Sequence, residues 1–194
     1  MNVRDMRIRG CGLLLSVLLL TGCGGLQSRS VYFNPNMDFS SVQAVAVMPF
    51  ENLTTDEHAV ERVRDAFMGM LLATDAMYVL PTGEVLRGIN RVGLRNPEAP
   101  TTEQIKALSG VLNVQAVIVG VLREYGAVRS GTATSNVVSL SLQMIETESG
   151  AVVWSASSTK GGISMADRLI GGGGQPMNKV TEDVIDDLLD QLFQ

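Results

Sequence analysis

Cysteine is nearly absent: the 194 residues hold two, Cys11 and Cys23, and none follows. The body of the chain therefore has neither a disulfide framework nor a cysteine-ligated metal site. Histidine is rarer still. His58 is alone, among Asp56, Glu57 and Glu61 at the start of an expected helix. A metal there would lack a second soft ligand, and a Ser-His-Asp triad finds no nucleophile-elbow pattern to draw on. A solvated helix-start residue is the simpler reading of His58. Long apolar runs are missing too. Leu13–Leu20, interrupted by Ser16, falls well short of the roughly 20 residues of a permanent transmembrane helix. Basic charge is scarce beyond the N-terminus. Of 15 basic and 20 acidic residues, Arg4, Arg7, Arg9 and Asp5 precede residue 23, so 12 basic and 19 acidic groups remain, a net charge of −7. With no basic stripe, nucleic acid and anionic headgroups are poor partners.

What the N-terminus does contain is ordered. Three arginines, a short apolar run and the small residues Thr21 and Gly22 outline a secretory signal. Leu20-Thr21-Gly22-Cys23 resembles the lipobox of bacterial lipoproteins. The resemblance implies cleavage before Cys23, acylation of its thiol and a mature chain starting there. One acyl chain anchors marginally and two or more durably, at about 0.8 kcal/mol per buried methylene. Gly24, where Asp typically retains enterobacterial lipoproteins at the inner membrane, implies sorting to the outer membrane. Gly24 to Ser30 reads as a tether that reaches about 25 Å when extended, which keeps the body near the lipid surface. The expected organisation is a signal over 1–22, a lipidated N-terminus and tether over 23–43, and one domain over 44–194.

Within the body, Ala44-Val45-Ala46-Val47-Met48 is a continuous apolar run closed by Pro49, the pattern of a strand covered on both faces. Thr54 and Glu57 have capping-box spacing, predicting a helix whose Val60, Val63, Phe67, Met70 and Leu71 face the sheet. A short strand over Met77–Leu80 leads to a helix capped by Thr82 and running through Asn90. Thr101 and Gln104 repeat the capping spacing ahead of a helix that carries Ile105, Leu108 and Val111 inward. Gln115–Leu122 is a long, β-branched buried strand. Tyr125–Asn136, rich in Gly, Ser, Thr and Ala, reads as a turn or mobile loop. From Val138 strict alternation sets in, with Leu140, Leu142 and Met144 on one face and Ser139, Ser141 and Gln143 on the other. A hairpin through Gly150 leads to Val152–Ser155, and an amphipathic helix from about Asn178 closes the chain. The predicted class is α/β, a single-domain sandwich with a mixed β-sheet flanked by helices.

Four stretches in register resemble the curli-secretion lipoprotein family typified by CsgG: Val45–Thr54, Ala59–Leu72, Val114–Gly120 and Thr147–Ser155. By fold that family is related to the penicillin-binding-protein activator LpoB and the exopolysaccharide-export lipoprotein PelC. The resemblance implies a periplasmic domain, close to the N-terminal fold of TolB, that binds or assembles without catalysing and needs no cofactor or metal. Pore-forming relatives insert two long hairpins, with about 9 to 11 residues per strand. Tyr125–Asn136 is too short for one, and Ser157–Gln175 lacks the alternation.

The remaining candidates divide between functional and structural readings. Asp183, Asp186, Asp187 and Asp190 share one side of the last helix, as an exposed acidic face or an interface lining. Trp154, the only tryptophan, is either a sheet residue under a helix or an interface anchor. Gly171–Gly174 lacks the Gly-Lys-Ser/Thr ending of a phosphate loop and reads as a hinge or as a loop ordered by a neighbour. The expected function is a non-enzymatic, outer-membrane-anchored periplasmic lipoprotein, held through Cys23, that forms homo-oligomers or serves other secretion or envelope proteins. The alternatives are a peptidoglycan-synthase regulator and an envelope enzyme.

Overall fold

The computed structural model describes residues 31–131, 133–162 and 174–194. One mixed sheet contains β1 (Val31–Phe33), β2 (Ala44–Val47), β3 (Glu51–Asn52), β4 (Tyr78–Val79), β5 (Ala116–Ser130), β6 (Ala133–Glu146) and β7 (Val152–Gly161). The helices are α1 (Ala59–Ala73), α2 (Thr82–Val92), α3 (Thr102–Leu112) and α4 (Met177–Leu192). Strand order is β1-β7-β6-β5-β2-β4, with β3 beside β5. The β2, β3, β4 and β5 contacts are parallel, while β5-β6, β6-β7 and β7-β1 are antiparallel. The class is the α/β single domain expected. The sheet also takes in Val31–Phe33, upstream of Ala44, as an edge strand on β7.

Helix coverage explains the two strand patterns. On one face, Val45, Val47, Ile118, Leu140, Leu142 and Met144 pack against α1 and α4. On the other, Ala46, Met48 and Val117 meet Val85 and Ile89 of α2 and Ile105 and Leu108 of α3. That second layer reaches β2, β4 and the start of β5. β2 is thus enclosed on both sides and reads as unbroken apolar sequence, whereas β6 is covered once and alternates. Its uncovered side meets β7 through hydroxyl pairs, Ser139 with Thr159 at 2.8 Å and Ser141 with Ser157 at 2.7 Å.

Local capping follows the sequence at one helix and departs at two. Thr101 and Gln104 form the reciprocal capping box of α3. At α1 the hydroxyl of Thr54 instead donates to Asn52 Oδ1 (2.8 Å), and Asp56 Oδ1 accepts from His58 N (3.0 Å). These side-chain turns delay the helix to Ala59, with His58 at its cap position. Thr82 is the first residue of α2 rather than its cap, since Pro81 fixes the preceding backbone. Val63, Phe67 and Leu71 are buried on α1, with Val60 and Met70 at the margin. Val111 stays exposed at the edge of α3.

The largest departure is Tyr125–Asn136. It is paired strand, with β5 and β6 in register from Ala116↔Glu146 to Ser130↔Ala133 and an irregularity at Arg123. Gly131, at φ +61°, lies in the turn. Backbone pairing forms the ladder whatever the side chains are, so a polar, glycine-containing composition conceals it. β7 ends opposite Val137, so the tip of this hairpin extends beyond it. Gly162 N donates to Asn136 O (2.8 Å), and Asn136 Nδ2 donates to Gln175 O (2.8 Å), tying the tip to the start of α4.

Candidate functional site

The sequence-nominated residues do not converge on one place. Cys23, the signal and tether over 1–30, and Gly171–Gly173 lie outside the described residues. Gly174 N donates to Thr134 O (3.3 Å). His58 is solvated at the start of α1, its Nδ1 3.6 Å from Glu61 Oε2. Trp154 is fully buried in the core beneath α4, as a sheet residue would be, and presents no indole surface. Among the described residues its Nε1 finds no hydrogen-bond partner.

The four aspartates are divided by their positions around α4. Asp183 pairs with Lys179 at 2.7 Å, and this hydrogen bond, with the carboxylate charge, raises the Lys179 pKa. Asp187 turns inward: its side chain is 14 % exposed and is engaged by Lys160, Ser158 and Gln191. The expectation of one exposed acidic face therefore needs correcting. Position 187 borders the buried stripe of Val180, Val184 and Leu188, and its carboxylate serves the interior. Asp186 and Asp190 remain exposed and flank a cleft of about 340 Å³ between the C-terminal parts of α1 and α4. Its floor is apolar, with Met70, Ala73, Leu189 and Phe193. Neither helix carries a basic residue in its last turn, so the partial negative charge of both carbonyl ends adds to the two carboxylates.

A second crevice, of about 390 Å³, lies at the C-terminal end of β2, where Pro49, Phe50, Asp65, Leu86 and Glu98 surround Arg64. Arg64 Nε donates to Met48 O at 2.9 Å and its Nη2 to Val47 O. Val45 O is satisfied by Leu80 N, and Val47 O points the same way just past the end of β4. The guanidinium thus completes a ladder that β4 leaves short. Burial pushes its pKa down, against the opposing charge of Asp65. Sequence reasoning passed over Arg64, although an arginine between Val63 and Phe67 on an apolar stripe is the available signal. It also missed the cleft, whose lining comes from residues more than 100 positions apart.

Among the described residues, no group of three or more His, Cys, Asp or Glu side chains is placed to hold a metal ion. Among the same residues, no helix is long and apolar enough to cross a membrane. What the arrangement offers is surface: an acidic apolar cleft, an arginine-centred crevice and a hydroxyl-lined sheet face.

The fold has solved relatives. A PelC dodecamer of Paraburkholderia phytofirmans, in a single-substitution variant, is 19 % identical, with a TM-score of 0.57 over 85 % of this chain and 98 % of the other. Lipoprotein GNA1162 of Neisseria meningitidis is 18 % identical, with a TM-score of 0.57 over 77 % and 97 %. The hypothetical protein CT253 of Chlamydia trachomatis is 10 % identical, with a TM-score of 0.53 over 78 % and 96 %. At these identities the shared property is the fold. The sequence matches no family model and no curated protein.

Proposed function

We propose that this chain is a CsgG-like lipoprotein, anchored through acylated Cys23 in the outer membrane and facing the periplasm, where it acts without catalysis as an assembling or accessory component of secretion or envelope biogenesis. The observation that carries the reading is the shared fold, which spans nearly the whole of a protein described as a dodecamer and of one described as a lipoprotein. The lipobox-like Leu20-Thr21-Gly22-Cys23 supports the anchor. So does the short span of eight residues from Cys23 to Val31, where the sheet starts, which suits a domain held near an attached lipid. The surfaces suit binding more than chemistry, since the charged groups border apolar clefts and His58 stands in solvent.

The test is to express the full chain, follow incorporation of labelled palmitate, fractionate the membranes and measure the native mass of the detergent-extracted protein. Label in the outer-membrane fraction, lost in Cys23→Ala, together with a mass of several copies, is the expected result. An unacylated, freely released monomer would sink the proposal.

A further inference from the structure

The cleft between α1 and α4 has a counterpart on the opposite side of the molecule. On α2, Arg87 and Arg91 stand one helical turn apart and, with Glu84, border a third cleft, of about 260 Å³, floored by Val111 and Leu112 of α3. Among the described residues, the ion pair of Arg87 is a long contact of 3.9 Å to Glu84, and Arg91 has none. Asp186 and Asp190 are likewise one turn apart on α4, likewise beside an apolar floor, and likewise without an ion pair among the described residues. In both pairs the spacing is four residues, about 6 Å along a helix. Two carboxylates and two guanidiniums at equal spacing, each set beside exposed apolar surface such as Phe193 or Val111, are complementary in charge, pitch and polarity.

They cannot meet within one chain, because α1 and α4 cover one face of the sheet and α2 and α3 the other. We infer that the acidic cleft of one copy receives the Arg87–Arg91 face of α2 from the next copy. The two patches differ, so the contact is head-to-tail: every open assembly keeps one free patch of each kind at its ends, and it either closes into a ring or grows as a filament. Desolvation by the apolar floors makes the charge pairs matter more than they would on open surface. The inference rests on the oligomeric part of the proposed function and names the surfaces that would build it.

The experiment uses the full chain, extracted in detergent and weighed by light scattering or native mass spectrometry. One variant carries Arg87→Glu with Arg91→Glu, a second Asp186→Lys with Asp190→Lys, and a third all four substitutions. Each double variant should fall to the mass of one chain, and the fourfold variant should recover the assembly. Mixing the two double variants should also restore it, because each then offers only the charge that the other lacks. This mixing arm separates a lost contact from a lost fold. Double variants that keep the native assembly mass overturn the inference while leaving the proposed function intact. Loss of assembly that neither the fourfold variant nor mixing repairs overturns it as well. A native chain that is monomeric at every concentration removes the inference and the oligomeric part of the proposed function, and leaves the anchored accessory role standing.

Discussion

Lys160 Nζ on β7 lies 3.1 Å from Asp187 Oδ1 on α4, and the other oxygen of that carboxylate accepts hydrogen bonds from Ser158 Oγ (2.7 Å) and Gln191 Nε2 (3.0 Å). One side chain thus joins the last helix to the sheet. Ser158 and Gln191 are both buried; removing the carboxylate strips Ser158 of its acceptor and leaves Gln191 Nε2 only its bond to Asp187 O (2.9 Å). Asp187→Ala should lower the unfolding free energy by about 2–4 kcal/mol in denaturant titration. Asp183→Ala breaks only the surface pair with Lys179 and should cost about 0–0.5 kcal/mol. Equal midpoints for the two variants would contradict the inward role of Asp187.

Trp154 is fully buried with an unpartnered Nε1 among the described residues, so its replacement separates volume from polarity. Trp154→Ala empties the centre of the core and should cost about 3–5 kcal/mol. Trp154→Phe gives up less volume and also removes the unpaired donor, so its loss should be about 1–2 kcal/mol. Thermal unfolding followed by circular dichroism measures both, and a phenylalanine variant as unstable as the alanine one would refute the argument.

Gly131 and Gly161 both have positive φ, +61° and +85°, and differ in what a side chain would meet. Nothing lies within 4 Å of a Cβ at 131, whereas one at 161 would run into the carbonyl oxygen of Asn136. Gly131→Ala should cost about 1 kcal/mol, the left-handed backbone penalty alone. Gly161→Ala adds displacement of backbone at the base of the hairpin tip and should cost at least about 2–3 kcal/mol. If the two costs match in denaturant titration, the close approach at Gly161 is wrong.

Asp56 reports on the start of α1 through pH. The backbone N–H of His58 is the main influence holding its pKa below the ordinary 3.8, with Arg62, 2.5 Å away, assisting. A carboxylate lowered by folding contributes fully above its ordinary pKa, and that contribution is lost as pH falls through the lowered value. Asp56→Asn should therefore be less stable than the native chain at neutral pH and give a shallower fall as pH drops below about 4, so that the two curves converge in acid. Identical acid limbs in the two proteins would assign the fall to other carboxylates.

Much of the fold is legible along the chain, because the relevant physics is local. The apolar run of β2, the alternation of Leu140, Leu142 and Met144, and the stripe of Val180, Val184, Leu188 and Leu192 each declare how many faces will be covered. The capping box at Thr101 is legible for the same reason: donor and acceptor lie three residues apart. Thr54 shows the limit of this reading. The same spacing there loses to Asn52 and Asp56, which capture the turn first.

By itself the sequence determined the class, the helices and the central strands, and it nominated Cys23, since periodicity and motif are carried by neighbouring residues. Only the tertiary structure decided that Tyr125–Asn136 is strand, that Asp187 faces inward while Asp186 and Asp190 edge a cleft, and that Arg64 finishes a ladder cut short by β4. Each of these depends on partners distant in the chain: a backbone ladder indifferent to side chains, a helix rotation set by what lies beneath it, and a carbonyl whose missing donor becomes apparent only once the sheet is assembled.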